Sequence, residues 1–372
     1  MLKHPSIDHL VKAACAIALA FAPISLHADP FVQINLVSNV PGLANTTDPN
    51  LKNPWGVSFS PTSPFWVSNQ VSGNATLYDG AGNPAPLVVA IPPGAAPPSG
   101  PTGQVFNASP GFLVNATKAN FIFDTLNGTI AGWNGGTTAT VMASTAGAIY
   151  TGLAQNTSGG STYLYAANST GNIHVFDSSW ADVTSTTFAG KFVDPNPQAG
   201  FVPFNIQSVG SNLYVTYAHL TPLGGGLPGG YIDEFDASGN FIKRIATGGA
   251  LFAPWGITLA PAGFGSFGND LLVGNFGNGE ILVYDPATDA FLGTIDGTNG
   301  QPLVNSSLWA LETRTGGANI NPNAVYFTAG INGEKDGLFG EIVPIPEPAT
   351  IVETAFGLLA LAGLKFRRLL HA

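Results

Sequence analysis

Sulfur chemistry is nearly missing from this chain: of 372 residues, one is cysteine and two are methionine. The cysteine, Cys15, lies in an N-terminal segment that reads as removable, so the mature chain would carry no thiol. Disulfide staples, cysteine nucleophiles and thiolate-bound metals are thereby excluded. Charge is also scarce, at 9% of residues, and basic charge is the scarcer kind, with 12 Lys and Arg against 22 Asp and Glu. Between residues 29 and 345 the counts are 7 basic and 19 acidic, a net charge of −12. With no basic stripe, nucleic acid is not an expected partner. No G-x-S-x-G, H-E-x-x-H or phosphate-loop pattern occurs, so the common short signatures of hydrolases, zincins and nucleotide enzymes are absent.

What the chain has in quantity is turn-formers and apolar side chains. It contains 47 glycines and 29 prolines, aromatics make up 10%, and the mean hydropathy is +0.22. A disordered chain lacks groups to bury, so this composition argues for a folded, turn-rich protein. A repeat of about fifty residues organises it. The stretches PWGVSFS (54–60), TGQVFN (102–107), TGLAQN (151–156), FNIQSV (204–209), PWGITLA (254–260) and SLWALE (307–312) read as equivalent strand starts, with Gly56, Gly103, Gly152, Asn205, Gly256 and Leu308 as register marks. Each unit continues with a second apolar strand, a Gly/Asn turn, a third strand ending in an aromatic, and in most units a fourth strand. Four short strands per repeat predict a β-propeller blade, and six marks predict six blades. The sixth unit lacks a fourth strand, and FVQINLV (31–37) is available to fill that place. The expectation is an all-β, NHL-like six-bladed β-propeller over residues 29–345, its last blade closed by the N-terminal strand so that the ring has no open edge.

In such a ring the ends of the second strands surround one mouth of the central channel. Here they are Asn69, Asp124, Asn168, His219 and Asn275, followed by Ala329, with Glu312, Glu334 and Asp336 expected on the same face. Oxygens converging on one axis could hold Ca²⁺, which takes six to eight oxygen ligands. The competing reading is structural, because Asn and Asp after a strand satisfy the turn backbone themselves. His174 reads as a strand residue rather than a ligand. Trp55, Trp255 and Trp309 open three blades and are read as packing residues, the alternative being the floor of a sugar-binding surface.

The two ends of the chain carry different information. Lys3 and Lys12 precede an apolar run from Ala13 to Phe21, and Ala28 precedes Asp29, the layout of a signal peptide over residues 1–28. The closing segment, 346–372, contains Pro346-Glu347-Pro348-Ala349-Thr350, a short apolar run (354–364) and the basic residues Lys365, Arg367 and Arg368. It resembles the PEP-CTERM sorting signal of Gram-negative bacteria, with Glu353 interrupting the apolar stretch and four residues following the arginines. That resemblance implies export, a hydrophobic sorting helix anchored transiently in the inner membrane, and processing by an exosortase-type transpeptidase. The body is similar to an uncharacterised secreted family that often bears this tail, through PWGVSFS, FIFDTLNGTIAGWN, PFNIQSVGSNLYVTYA and YFTAGINGEKDGLFG among other stretches. The resemblance carries over no catalytic residue. The functional expectation is therefore an exported propeller at the cell surface, outer membrane or extracellular matrix, binding exopolysaccharide or surface proteins. The alternative is a divalent-cation-dependent hydrolase or lyase at the channel mouth.

Overall fold

The computed structural model describes residues 29–92, 99–221 and 226–345. The predicted signal peptide, the sorting residues Pro346, Glu347, Pro348, Arg367 and Arg368, and the predicted sorting helix lie outside the described residues. Among the described residues no helix is long and apolar enough to cross a membrane.

Six antiparallel sheets surround one axis. Their innermost strands are Pro54–Ser58, Pro101–Phe106, Tyr150–Ser158, Val202–Val209, Pro254–Leu259 and Leu308–Thr313. Each pairs with the second strand of its own blade, in blade 2 across a small hairpin at 113–118, and blades 1 to 5 grow outward in chain order, while blade 6 ends on the N-terminal strands. Continuous burial rather than alternation marks the second strands, because both faces of a blade are covered by its neighbours. The second strands Phe65–Asn69, Phe121–Thr125, Leu271–Asn275 and Val325–Ala329 are buried at every position. Four-strand blades form at units 1, 2, 4 and 5, although the fourth strand of unit 1 shrinks to Val89–Ala90.

Blade 6 closes as the sequence predicts. Phe31–Ser38 pairs antiparallel with Leu338–Pro344, from Phe31 opposite Pro344 to Ser38 opposite Leu338. Ser38 Oγ donates to the Gly337 carbonyl at 2.7 Å, and the Ile345 amide donates to the Pro30 carbonyl at 2.8 Å. Phe31 is buried against Phe264 of blade 5, ring centroids 4.6 Å apart, so the closing strand also seals the blade 5–6 interface.

Blade 3 is the exception, with three strands: Tyr150–Ser158, Ser161–Asn168 and Asn172–Phe176. Irregular chain over 177–201 covers its outer edge instead. Phe188 and Phe192 pack on Tyr165, with centroids 5.9 and 5.6 Å away, and Phe192 reaches Phe235 of blade 4 at 5.3 Å. Arg244 of blade 4 holds this segment through Asp194, while its Nε donates to buried Asp233 at 2.6 Å and its guanidinium lies 4.0 Å over the Tyr231 ring.

Candidate functional site

The inner strands meet closely enough to close the channel at its middle. A Cβ on Gly56 would lie 2.6 Å from the Thr102 carbonyl oxygen of the next blade, and side chains on Gly103 and Gly256 would run into the backbone of Leu153 and Trp309. These register glycines are therefore required by close approach around the axis. Asn205 takes the same place in blade 4 and donates from Nδ2 to the Trp255 carbonyl at 2.8 Å. In blade 6 the place belongs to Ala310, not to Leu308 as the sequence spacing suggested, because Trp309 is the counterpart of Trp55 and Trp255. The waist encloses about 10 Å³, which is at the limit for one water molecule.

One residue before the waist the strands carry aromatic side chains. Trp55, Phe204, Trp255 and Trp309 are all buried. Trp55 stacks on Trp309 with centroids 3.5 Å apart, Trp255 meets both edge-on at 6.2 and 5.7 Å, and Phe276 lies 4.4 Å from Trp309. The Trp309 indole donates to Asn53 Oδ1 at 2.9 Å, and that of Trp255 to the Thr151 carbonyl at 2.9 Å. The tryptophans are thus packing residues, gathered at the axis rather than spread between blades, and they plug the mouth at which a site was expected.

Around that plugged mouth each expected ligand residue serves its own neighbourhood, and no hydrogen bond joins any two of the five. Asn69 donates to Asn74 Oδ1 and Thr76 Oγ1, both at 2.9 Å. Asn168 Oδ1 accepts the Ile149 and Thr170 amides at 3.0 and 3.1 Å, and Asn275 Oδ1 accepts the Phe252 amide at 3.0 Å. The last two side chains fasten the incoming blade-to-blade connection to the end of a second strand. His219 is exposed and rests against Phe201, centroids 5.6 Å apart. Asp124 is fully buried; its Oδ1 accepts the Thr102 hydroxyl at 2.7 Å, while Oδ2 makes no well-formed hydrogen bond. Burial pushes its pKa up to about 7, moderated by the Thr102 hydroxyl and nearby amides. Two buried oxygens here, Asn69 Oδ1 and Asp124 Oδ2, have no partner. Among the described residues no three His, Cys, Asp or Glu side chains come together as a metal group. His174 accepts or donates at 2.8 Å with the Tyr150 hydroxyl, and burial lowers its pKa.

Glu334 and Asp336 do lie at the plugged mouth, Glu334 accepting Asn53 Nδ2 at 3.1 Å and Asp336 accepting Asn39 Nδ2 at 2.6 Å. Glu312 does not. Leu308 sits opposite Ala329 at the second-strand end, whereas Glu312 sits opposite Tyr326, toward the other end of the sheet. There, past the waist, the channel opens into a cavity of about 230 Å³. Its polar lining is Ser58, Gln104, Gln155, Gln207, Ser208 and Glu312, with Phe59 and Phe106 also on the wall. Gln104 Nε2 donates to the Gly56 and Trp66 carbonyls, both at 2.7 Å, which leaves its Oε1 without a partner. Ser58 Oγ is likewise buried and unpartnered. Glu312 Oε1 accepts the Thr313 amide at 3.0 Å. Its carboxyl keeps some contact with channel solvent but is recessed among protein atoms, and desolvation raises its pKa to about 7 against the pull of Arg314.

This cup was not foreseen. The signal that could have found it is the position two residues after four of the six register places, taking Ala310 in blade 6, where Ser58, Gln207, Thr258 and Glu312 place polar side chains inside apolar strands.

No family model matches the chain, so the likeness to a PEP-CTERM-bearing secreted family gains no support there. Curated relatives do match. An uncharacterised protein of Acanthamoeba polyphaga mimivirus is 30% identical over 323 residues, covering 82% of this chain and 78% of the relative. The chain belongs to that protein's family. A second uncharacterised mimivirus protein is 30% identical over 335 residues, covering 83% of this chain and 84% of its own length. Neither relative brings an assigned activity. Among solved structures, the apo form of the soluble aldose sugar dehydrogenase of Escherichia coli aligns at 14% identity with a TM-score of 0.48, covering 85% of this chain and 100% of that one. A streptogramin B lyase structure aligns at 12% identity with a TM-score of 0.46, covering 85% and 97%.

Proposed function

We propose that this protein is an exported propeller acting at the cell surface, outer membrane or extracellular matrix as a binding or structural component associated with exopolysaccharide. Its leader (1–28) directs export, and its tail (346–372) is a sorting segment cut by an exosortase-type transpeptidase. One observation carries the reading: the ring is closed by pairing Phe31–Ser38 with Leu338–Pro344 in blade 6, so all the described ring strands lie between the proposed leader and the proposed tail. Either terminal segment can therefore be removed without taking a strand from the ring, the arrangement expected of a folded cargo with detachable address segments. The sparse, acidic charge between residues 29 and 345 fits a protein kept soluble outside the cell by mild self-repulsion. Mass spectrometry of the protein recovered from a Gram-negative bacterium with an exosortase tests this. The expected termini lie after Ala28 and within or near Pro346–Thr350, with the product in the surface or extracellular fraction. Recovery of the uncut chain from the cytoplasm would overturn it.

A further inference from the structure

Among the described residues, the cup beyond the waist is a concavity in which polar side chains from several blades converge with hydrogen-bonding capacity unspent. Two residues of its wall, Ser58 and Gln104, only 8% and 5% exposed, carry buried oxygens with no protein partner, Ser58 Oγ and Gln104 Oε1. A buried acceptor without a donor costs about 1–3 kcal/mol, and unlike the unpartnered oxygens of Asn69 and Asp124 around the plug, these two belong to residues that line an open cavity. Around them are groups still able to bond. Gln207 makes no side-chain hydrogen bond among the described residues, and Gln155 spends only Nε2, on Asn107 Oδ1 at 3.0 Å. Glu312 spends only Oε1.

The donor set is neutral amides, hydroxyls and one carboxyl, with no Lys or Arg on the cavity wall. The nearest guanidinium, Arg314, is turned away: it donates to the Ser60 and Ser63 carbonyls and lies over the Phe59 and Phe65 rings at 4.5 and 5.3 Å. An anion would find no counter-charge here. A strong cation would find a single carboxylate and no second acid. A ring of hydroxyls, by contrast, matches groups that both donate and accept, and its C–H face matches the partly exposed rings of Phe59 and Phe106.

We infer that this cup, formed by Ser58, Gln104, Gln155, Gln207 and Glu312, is a binding site for one sugar ring, either a free monosaccharide or the end of a polysaccharide chain. The inference rests on the proposed role as an exopolysaccharide-associated protein for its biological setting, but on the cup alone for its chemistry. Glu312 and the free amide of Gln207 are the groups that would take adjacent hydroxyls, and Gln104 Oε1 would accept from the deepest one.

Saturation-transfer NMR and calorimetry on the full chain test it. The probes are the methyl glycosides of glucose, galactose, mannose, rhamnose and N-acetylglucosamine, and, as a second arm, oligosaccharides released from bacterial exopolysaccharide. The expected result is binding of at least one probe, weakened about tenfold or more by Glu312→Gln and by Gln207→Ala. Gln207 bonds nothing in the scaffold, so its variant keeps the test valid if Glu312→Gln folds poorly. Binding of glycosides and oligosaccharides alike points to a free sugar or chain end; binding of oligosaccharides alone points to the polysaccharide. No binding in either arm, or binding that neither variant weakens, overturns the site. In the latter case the polysaccharide association survives and only its assignment to the cup fails.

Discussion

The two ends of the central axis are built by the same six strands, a few residues apart, and have opposite chemistry. On one side of the waist Trp55, Phe204, Trp255 and Trp309 fill the axis with rings, and the polar residues outside them fasten loops. On the other side Ser58, Gln104, Gln207 and Glu312 leave the axis open and keep unspent hydrogen-bonding capacity. The first end holds the ring together and the second is free to bind. Polarity at a channel mouth is therefore a poor guide to a site by itself; what separates the two ends is whether open space is left beside the polar side chains.

The sharpest way to break the comparison is at the plug. Trp309→Ala removes the side chain on which Trp55, Trp255, Phe204 and Phe276 all converge, and should cost about 3–5 kcal/mol in urea unfolding; a loss under about 1 kcal/mol would mean the plug is not a stability element. Next comes the buried acid beside it. Asp124 has its pKa raised to about 7 by burial, so its contribution to stability is fully present below the unfolded-state pKa near 4 and is lost as pH rises through about 7. Thermal melts should therefore show the protein less stable at pH 8 than at pH 5. Asp124→Asn should flatten that profile, gaining about 2–4 kcal/mol at pH 8 and about 1 kcal/mol at pH 5. An unchanged pH profile in the variant would show that another group is responsible.

Smaller effects belong to the cup. Glu312→Gln should raise the melting temperature at pH 8 but not at pH 5, by the equivalent of about 1 kcal/mol, since channel solvent screens this acid more than Asp124. Gln207→Ala should change stability by no more than about 0.5 kcal/mol, as expected where no scaffold bond is removed. If Gln207→Ala proved as damaging as Trp309→Ala, the two ends would not differ in the way described.

The fold was legible because ring closure imposes a rule on every unit. Gly56, Gly103, Gly152 and Gly256 recur since the inner strands almost touch, and the place of Phe31–Ser38 was readable from the strand missing after Leu338–Pro344. Blade 3 was less legible, because hydrophobic contacts of Phe188 and Phe192 replace a strand, and such cover has no period of 2. The site was misplaced for a physical reason. Asn69, Asn168 and Asn275 recur because a strand end followed by a turn needs an Asx side chain, so their periodicity reports loop chemistry. Glu312 was expected on the wrong face, since a single carboxylate in a strand does not show which end of the channel it meets, and only the assembled ring brings Gln104 and Gln207 to it.

The closure of blade 6 also sets a clock. Ser38 and Gly337, which bond across the seam, are 299 residues apart in the chain. At synthesis rates of roughly 5–20 residues per second, Phe31–Ser38 waits about 15–60 s for its partner strand to be made. During that interval it is an apolar strand with an unpaired edge, and the blades made before blade 6 form an open arc rather than a ring.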